Sequence, residues 1–234
     1  MRLSGVFGPV AEWPGQDLVA LSHEFDAELV VEAYRAGVFP MPLHEAGWPA
    51  GTMGWWSPVH RGILPLDDIR VTRSLRKSAR HYTTTVDRRF AEVMERCGDP
   101  SRPGGWIDGD ITRVYTQLYD AGLAHSVEVW TPDGRLAGGL YGVGLGGLFA
   151  GESMFHDPEI GRDASKVALL RLVRVLDDGH ERLLDVQWVT DHLATLGAVE
   201  VDRDDYLRLL GEALDVPAPD WAAAREDGPH AGDA

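Results

Sequence analysis

"AHSVEVWTPDGRLAGGLYGVGLGGLFAGESMF", residues 124–155, holds three apolar runs separated by two turns. "TPDG" (131–134) joins the first two runs as a hairpin, and the glycines of 142–147 turn the second run into the third. Antiparallel strands at the centre of the chain therefore decide the fold. "GVGLGG" also fits G-x-G-x-x-G at Gly142, Gly144 and Gly147, but a dinucleotide site needs a helix next and a strand pattern follows. The third run sets one carboxylate, Glu152, among glycines and apolar residues. Burying an unpaired carboxylate costs several kcal/mol, so Glu152 faces water or is held by specific partners.

Upstream, "EFDAELVVEAYRAGVFPMP" reads as a helix N-capped by Asp26, running to about Ala36 and ended by Gly37, Pro40 and Pro42. A Gly/Pro/Trp-rich segment follows. "DIRVTRSLRKSARH" then reads as a short strand and a helix capped at Thr72. A strand and a helix in "TTTVDRRFAEVMERCGD" and a helix in "WIDGDITRVYTQLYDAG" precede the hairpins. Downstream come the amphipathic helix "RDASKVALLRLVRVLDDG", the strand "RLLDVQWV", the short helix "DHLATLG", the strand "AVEVD" and the helix "DDYLRLLGEAL". The pattern gives an α+β (mixed α/β) fold with helices on the faces of a sheet. Three segments are expected: a small N-terminal domain over 1–63, a larger domain over 64–214, and an acidic tail over 215–234 whose Ala, Pro and Gly content predicts disorder.

The 234 residues are 44% hydrophobic, enough for a sizeable core. The opening "MRLSGVFGPVAEWPGQ" has no apolar signal core, and no run approaches the ~20 apolar residues of a membrane helix, so a cytosolic address without membrane association is expected. The single cysteine, Cys97, excludes an internal disulfide and a cysteine-based metal cluster, and reads as a core residue more readily than as a nucleophile. Nine scattered histidines show no ligand spacing, so no metal is expected. "GESMF" lacks the second glycine of a nucleophile elbow, which leaves Ser153 a weak nucleophile.

A net charge of −15 argues against general binding of polyanions. Yet residues 69–86 carry Arg70, Arg73, Arg76, Lys77 and Arg80 and no acid, a basic island suited to one local contact. Tyr34, Trp55, Trp56, Trp106 and Tyr115 form a set of aromatics that fits core packing or, beside a basic helix, the stacking of unpaired bases at ~1–3 kcal/mol each. In "LLDVQWV" strand alternation puts Asp185 and Gln187 on one face. It also puts Leu148, Ala150, Glu152 and Met154 on one face. If the two strands are neighbours, Gln187 can donate to Glu152, with Asp185 one pleat away; the alternative is a solvated face.

"AYRAGVFPM", "WWSP", "TRSLRKS", "GWI", "AHSVEVW", "GGLYGV", "LFAGESMF", "ASKVAL", "LLDVQ" and "HLATLGA" occur in this order over residues 33–198. Together they resemble the leucyl/phenylalanyl-tRNA protein transferases. The resemblance implies a cytosolic bacterial enzyme that moves Leu or Phe, less readily Met, from aminoacyl-tRNA to the N-terminal Arg or Lys of a protein, marking it for N-degron proteolysis. It implies a small N-terminal domain, a larger domain of the acyl-CoA N-acyltransferase (GNAT) type, a monomer, and no cofactor. Residue by residue, it makes Asp185 and Gln187 the catalytic Asp-x-Gln and Glu152 the partner of the glutamine. It puts Arg73, Lys77 and Arg80 on the tRNA acceptor stem, Trp106 and Tyr115 at the aminoacyl-adenosine, and Met154 and Leu140 in the amino-acid pocket. Met41, His81 and Thr190 depart from the family pattern, which usually has Trp, a basic residue and Asn there; Trp55 or Trp56 would replace the stacking surface missing at Met41. On this basis Asp185 is expected to orient the incoming amine and Gln187, fixed by Glu152, to assist its deprotonation by orienting more than abstracting, with proton transfer through the terminal ribose as the alternative. A CoA-dependent acyltransferase would need a pyrophosphate loop where this chain has "EIGRDASK", and a tRNA-binding module without activity would not need the three polar residues together.

Overall fold

The computed structural model describes residues 6–43, 47–102, 105–226 and 230–231. Strand β1 (Leu18–Ser22), helix α1 (Ala27–Arg35) and strands β2 (Phe39–Pro42) and β3 (Met53–Trp56) begin the chain. Asp26 caps α1 by accepting from the Leu29 amide, and Gly37 leaves the helix at φ +82, where an L side chain is strained and a Cβ would strike Leu207. The three strands form a small sheet in the order β1-β3-β2.

Strand β4 (His60–Ile63), α2 (Arg73–Ala79), β5 (Thr83–Val86), α3 (Phe90–Cys97) and α4 (Gly109–Asp120) follow. The central meander is β6 (Ala124–Trp130), β7 (Leu136–Leu145) and β8 (Leu148–His156). Then come α5 (Ala164–Leu176), β9 (Leu183–Gln187), α6 (Asp191–Leu196), β10 (Val199–Asp202), α7 (Arg203–Leu214), α8 (Trp221–Glu226) and β11 (His230–Ala231). The larger sheet runs β10-β4-β9-β8-β7-β6-β5-β11, antiparallel at every junction except β8 with β9. Residues 142–147 make the hairpin between β7 and β8. Gly146, at φ +58, and Gly147 sit where a Cβ would come within 2.9 Å of α7 carbonyl oxygens, so the glycines fit the turn under that helix.

One face of the large sheet shares a core with the small domain: Val30, Tyr34, Phe39 and Trp55 pack with Tyr141, Leu148 and Tyr206. The other face carries α2, α5 and α8 over Val127, Leu140, Phe149 and Leu184. Among the described residues no helix is long and apolar enough to cross a membrane.

Three expectations are corrected. No strand forms in "DIRV": the segment enters through a short 3-10 turn (Leu66–Asp68), and its Arg70 amide donates to the Leu196 carbonyl at the end of α6 rather than to a strand. The Gly/Pro/Trp-rich segment, where no strand was expected, supplies β3 and β4, and the chain leaves the small sheet at Trp56 and joins the large one at His60, a few residues before 63. The tail is ordered at least to Glu226. Trp221, 8% exposed, stacks on His125 at 3.8 Å and 13°, and Arg225 reaches the buried Asp87 at 2.7 Å. Composition hid this anchor, since one tryptophan and one arginine carry it. Residues 227–229 and 232–234 of the tail lie outside the described residues.

Candidate active site

The site lies where two neighbouring strands part. β8 and β9 run parallel from Leu148 opposite Leu183 to Ala150 opposite Asp185, and their pairing stops there. Beyond that point β8 bulges: Gly151 faces Gly142 and Ser153 faces Tyr141 across β7, so Glu152 is the extra residue. The bulge turns Glu152 toward the small domain and flips Met154, expected on the same face, to the opposite core beside Leu140. Strict alternation failed here because the pleat gained one residue.

The gap between the parted strands opens into a cavity of about 370 Å³. Leu140, Met154, Leu169, Leu172, Leu184 and Leu193 line its apolar part, while Glu152 and Gln187 line it at the parting, and Met41, Trp106 and Trp188 also border it. Leu140 and Met154, expected in an amino-acid pocket, both line this cavity. Gln187 Nε2 donates to Glu152 Oε1 at 3.4 Å, bridging the strands.

Glu152 has closer partners than Gln187. Tyr34 Oη donates to its Oε1 at 2.5 Å, Tyr115 Oη donates to its Oε2 at 3.0 Å, and the two hydroxyls are 2.7 Å apart. Burial pushes the Glu152 carboxyl up to about 7, against the lowering effect of the two tyrosine hydroxyls. Burial and the adjacent carboxylate push both tyrosines well above their ordinary value, which keeps them donors.

Asp185 is wholly buried. Arg61 grips it with two hydrogen bonds, Nε to Oδ1 at 2.8 Å and Nη2 to Oδ2 at 2.6 Å. Tyr206 Oη donates to Oδ2 at 2.9 Å and the Gln187 amide donates to Oδ1 at 2.9 Å. Arg61 also donates to the Gly37 carbonyl, and its guanidinium lies 4.6 Å from the Phe39 ring centre and 4.3 Å from that of Tyr206. The expected direct hold of Asp185 on an amine is therefore corrected: both oxygens are occupied and none faces the cavity. Asp185 instead fixes the backbone of Gln187, which stands at φ +58, a left-handed conformation costly for a residue with a Cβ.

The aromatic set divides. Tyr34, Tyr115 and Trp55 are at most 1% exposed and offer no ring face to a base. The tyrosines hold Glu152, and Trp55 packs on Phe7 and Phe25 while donating to Ser22 Oγ at 2.8 Å. Trp106 borders the cavity, and Trp56 stands edge-on to Trp188 at 5.9 Å. Arg73, Arg76, Lys77 and Arg80 are all exposed, and α2 packs against α5, whose Leu169 and Leu172 line the cavity. Thr190 caps α6 by accepting from the Leu193 amide. Cys97 is buried, its thiol pushed up to about 11 by burial and hydrogen-bonded to Ser153, which suits a core contact rather than a nucleophile.

Sequence reasoning missed Arg61, Tyr206 and Trp188. A carboxylate on an apolar strand demands a cation, and that question, asked of Asp185, leads to the arginine in the otherwise apolar "RGIL".

The sequence matches the family model described as leucyl/phenylalanyl-tRNA protein transferase over residues 63–211, and the model of that family's N-terminal domain over residues 23–59. The chain belongs to this transferase family. It is 50% identical over 202 residues to a leucyl/phenylalanyl-tRNA--protein transferase of Rhizorhabdus wittichii, covering 85% of this chain and 79% of the relative. A protein of the same name from Rhodospirillum rubrum is 47% identical over 194 residues, 81% of this chain and 87% of the relative. The transferase fold here is also similar to the solved structure of L-PGS from Bacillus licheniformis, at 11% identity over 56% of this chain and 46% of that one, but a TM-score of 0.39 is too low to bear on fold or function.

Proposed function

We propose that the chain transfers Leu or Phe, and less readily Met, from aminoacyl-tRNA to the N-terminal Arg or Lys of acceptor proteins, producing N-termini read by N-degron proteolysis. It works as a cytosolic monomer without a cofactor. The observation that carries the reading is the Glu152–Gln187 bridge at the edge of an apolar cavity of about 370 Å³, in a chain of this family. A volume in the usual ligand-pocket range of about 300–1,000 Å³ accommodates a Leu or Phe side chain, and the adaptable Met154 tolerates either.

The reaction is aminolysis of an ester. The acceptor's α-amine attacks the aminoacyl carbonyl carbon, the C–N bond forms, and the bond to the ribose 3′-oxygen breaks. The ester is already activated and an α-amine of ordinary pKa about 7.7–8.0 is partly neutral near pH 7, so positioning supplies much of the acceleration without a covalent enzyme intermediate. Gln187 spends its amide N–H on Glu152, which leaves its carbonyl oxygen to accept from the amine. Trp106 and Trp188 offer faces for the terminal adenosine, and the exposed Arg73, Lys77 and Arg80 contact acceptor-stem phosphates.

The test is transfer of labelled Leu from charged tRNA to a peptide beginning with Arg, with labelled acetyl-CoA run in parallel. Label from the tRNA alone is expected; label from acetyl-CoA alone would overturn the reading. Reversing Arg73 and Lys77 to Glu is expected to weaken tRNA binding and flatten the slope of log affinity against log salt by roughly 0.7–0.9 per lost phosphate contact. An unchanged slope would remove α2 from the interface.

A further inference from the structure

Aminolysis must dispose of a proton, and the cavity holds few groups able to take one. We infer that Glu152 is the proton carrier of the transfer: its Oε2 accepts a proton from the attacking amine nitrogen and returns it to the departing ribose 3′-oxygen. This inference rests on the transferase reading.

The geometry points to that oxygen. Oε1 already accepts from Tyr34 and Gln187, whereas among the described residues Oε2 accepts from Tyr115 alone and keeps an unfilled acceptor direction, and Glu152 is half-buried on the cavity wall. Its other neighbours leave it the role. Asp185 on β9 is consumed by Arg61 of β4. Tyr34 of α1, Tyr115 of α4 and Tyr141 of β7 are all held protonated by burial beside the carboxylate. Gln187 is a neutral amide and a poor base. The step balances: one amine proton passes to Glu152, the C–N bond forms as the C–O bond breaks, and the same proton completes the 3′-hydroxyl. A carboxyl held near neutrality takes and gives a proton with little loss at either step, which is the condition for efficient general acid–base work.

Besides Tyr141, which burial keeps protonated, one other titratable side chain among the described residues lines the cavity. His192 sits on α6, where burial and the neighbouring Lys166 and His156 push its pKa down. It is the competitor the experiment must address.

Single-turnover transfer from Leu-tRNA to an Arg peptide, measured against pH, decides the matter. With Glu152→Gln the rate is expected to fall at least about 100-fold with tRNA affinity unchanged. The acid-side slope of log rate against pH is expected to be lower by one, because the amine still titrates but the carboxyl no longer does. Tyr115→Phe, which removes a hydrogen bond that favours the ionised carboxylate, is expected to shift the acid limb to higher pH while activity returns at alkaline pH. A slope unchanged in Glu152→Gln, an acid limb unmoved in Tyr115→Phe, or loss of the limb in His192→Asn would overturn the assignment. Failure of the transferase reading itself is distinct: the unaltered chain would then transfer no Leu at any pH.

Discussion

Replacing Arg61 by methionine is expected to destabilise the fold by about 3–5 kcal/mol, the range for removing one partner of a buried ion pair. Arg61 and Asp185 are 1% and 0% exposed at their side chains, and water cannot enter to solvate the carboxylate left behind. The loss extends beyond charge: the guanidinium also ties the Gly37 carbonyl and lies against Phe39 and Tyr206. The midpoint of denaturant unfolding measures the effect. Asp185→Asn alone leaves the arginine unpaired and is expected to cost a similar amount. The double variant, with neither charge present, is expected to cost less than the two singles summed, since each single strands a charge that the double removes. A midpoint within about 1 kcal/mol of the unaltered chain for Arg61→Met would mean that water reaches Asp185 and that the pair is not what seats the site.

On the proposed mechanism the same pair also bears on activity, through Gln187. Its φ of +58 costs about 1–3 kcal/mol, and the hydrogen bond from its amide to Asp185 opposes that cost. With Asp185 released, Gln187 is free to relax toward extended backbone, which swings its amide away from Glu152. Transfer by Arg61→Met is therefore expected to fall even at temperatures where the variant remains folded.

How far the sequence spoke for itself depends on the element. The hairpins of 124–155 were legible because "TPDG" and "GLGG" punctuate apolar runs and local turn chemistry decides the outcome. α1 and α2 were legible from Asp26 and Thr72, whose caps are local events. β4 was not: its place between β10 and β9 depends on partners more than 120 residues away, as in the pairing of Gly62 with Gln187. At the site, Glu152 and Gln187 were found as a pair, yet the face of Met154 was misjudged, because a bulge leaves no mark in a period-two pattern. Tyr34 and Tyr115 were expected to stack on bases, but both are buried and their hydroxyls bond Glu152. An aromatic ring reads as a stacking surface in sequence, and only the three-dimensional burial shows that the hydroxyls, not the ring faces, point at the carboxylate.

Trp221→Ala is the second substitution expected to have a large effect, about 3–5 kcal/mol for a buried tryptophan. The ring lies flat on His125 at 3.8 Å and tilts against Phe149 at 5.7 Å. His125 Nδ1 in turn meets Asp87 Oδ2 at 2.8 Å, and the other oxygen of that carboxylate accepts from the Ser126 amide at 2.7 Å. Arg225, four residues after Trp221, closes the cluster on Asp87. Its side chain is 40% exposed, so solvent screening leaves it a minor share of the energy, and Arg225→Ala is expected to cost about 1 kcal/mol or less. The tryptophan acts on the site as well as on stability. Phe149 precedes Ala150, whose pairing with Asp185 is the last before β8 and β9 part. A void beneath Phe149 loosens the strand just before the bulge that aims Glu152. Trp221→Ala is thus expected to lower the unfolding midpoint, speed hydrogen exchange in β6 and β8, and reduce transfer more steeply on warming than Arg225→Ala does. An unchanged midpoint after truncation at Pro219 would show that the tail lies on the sheet without supporting it.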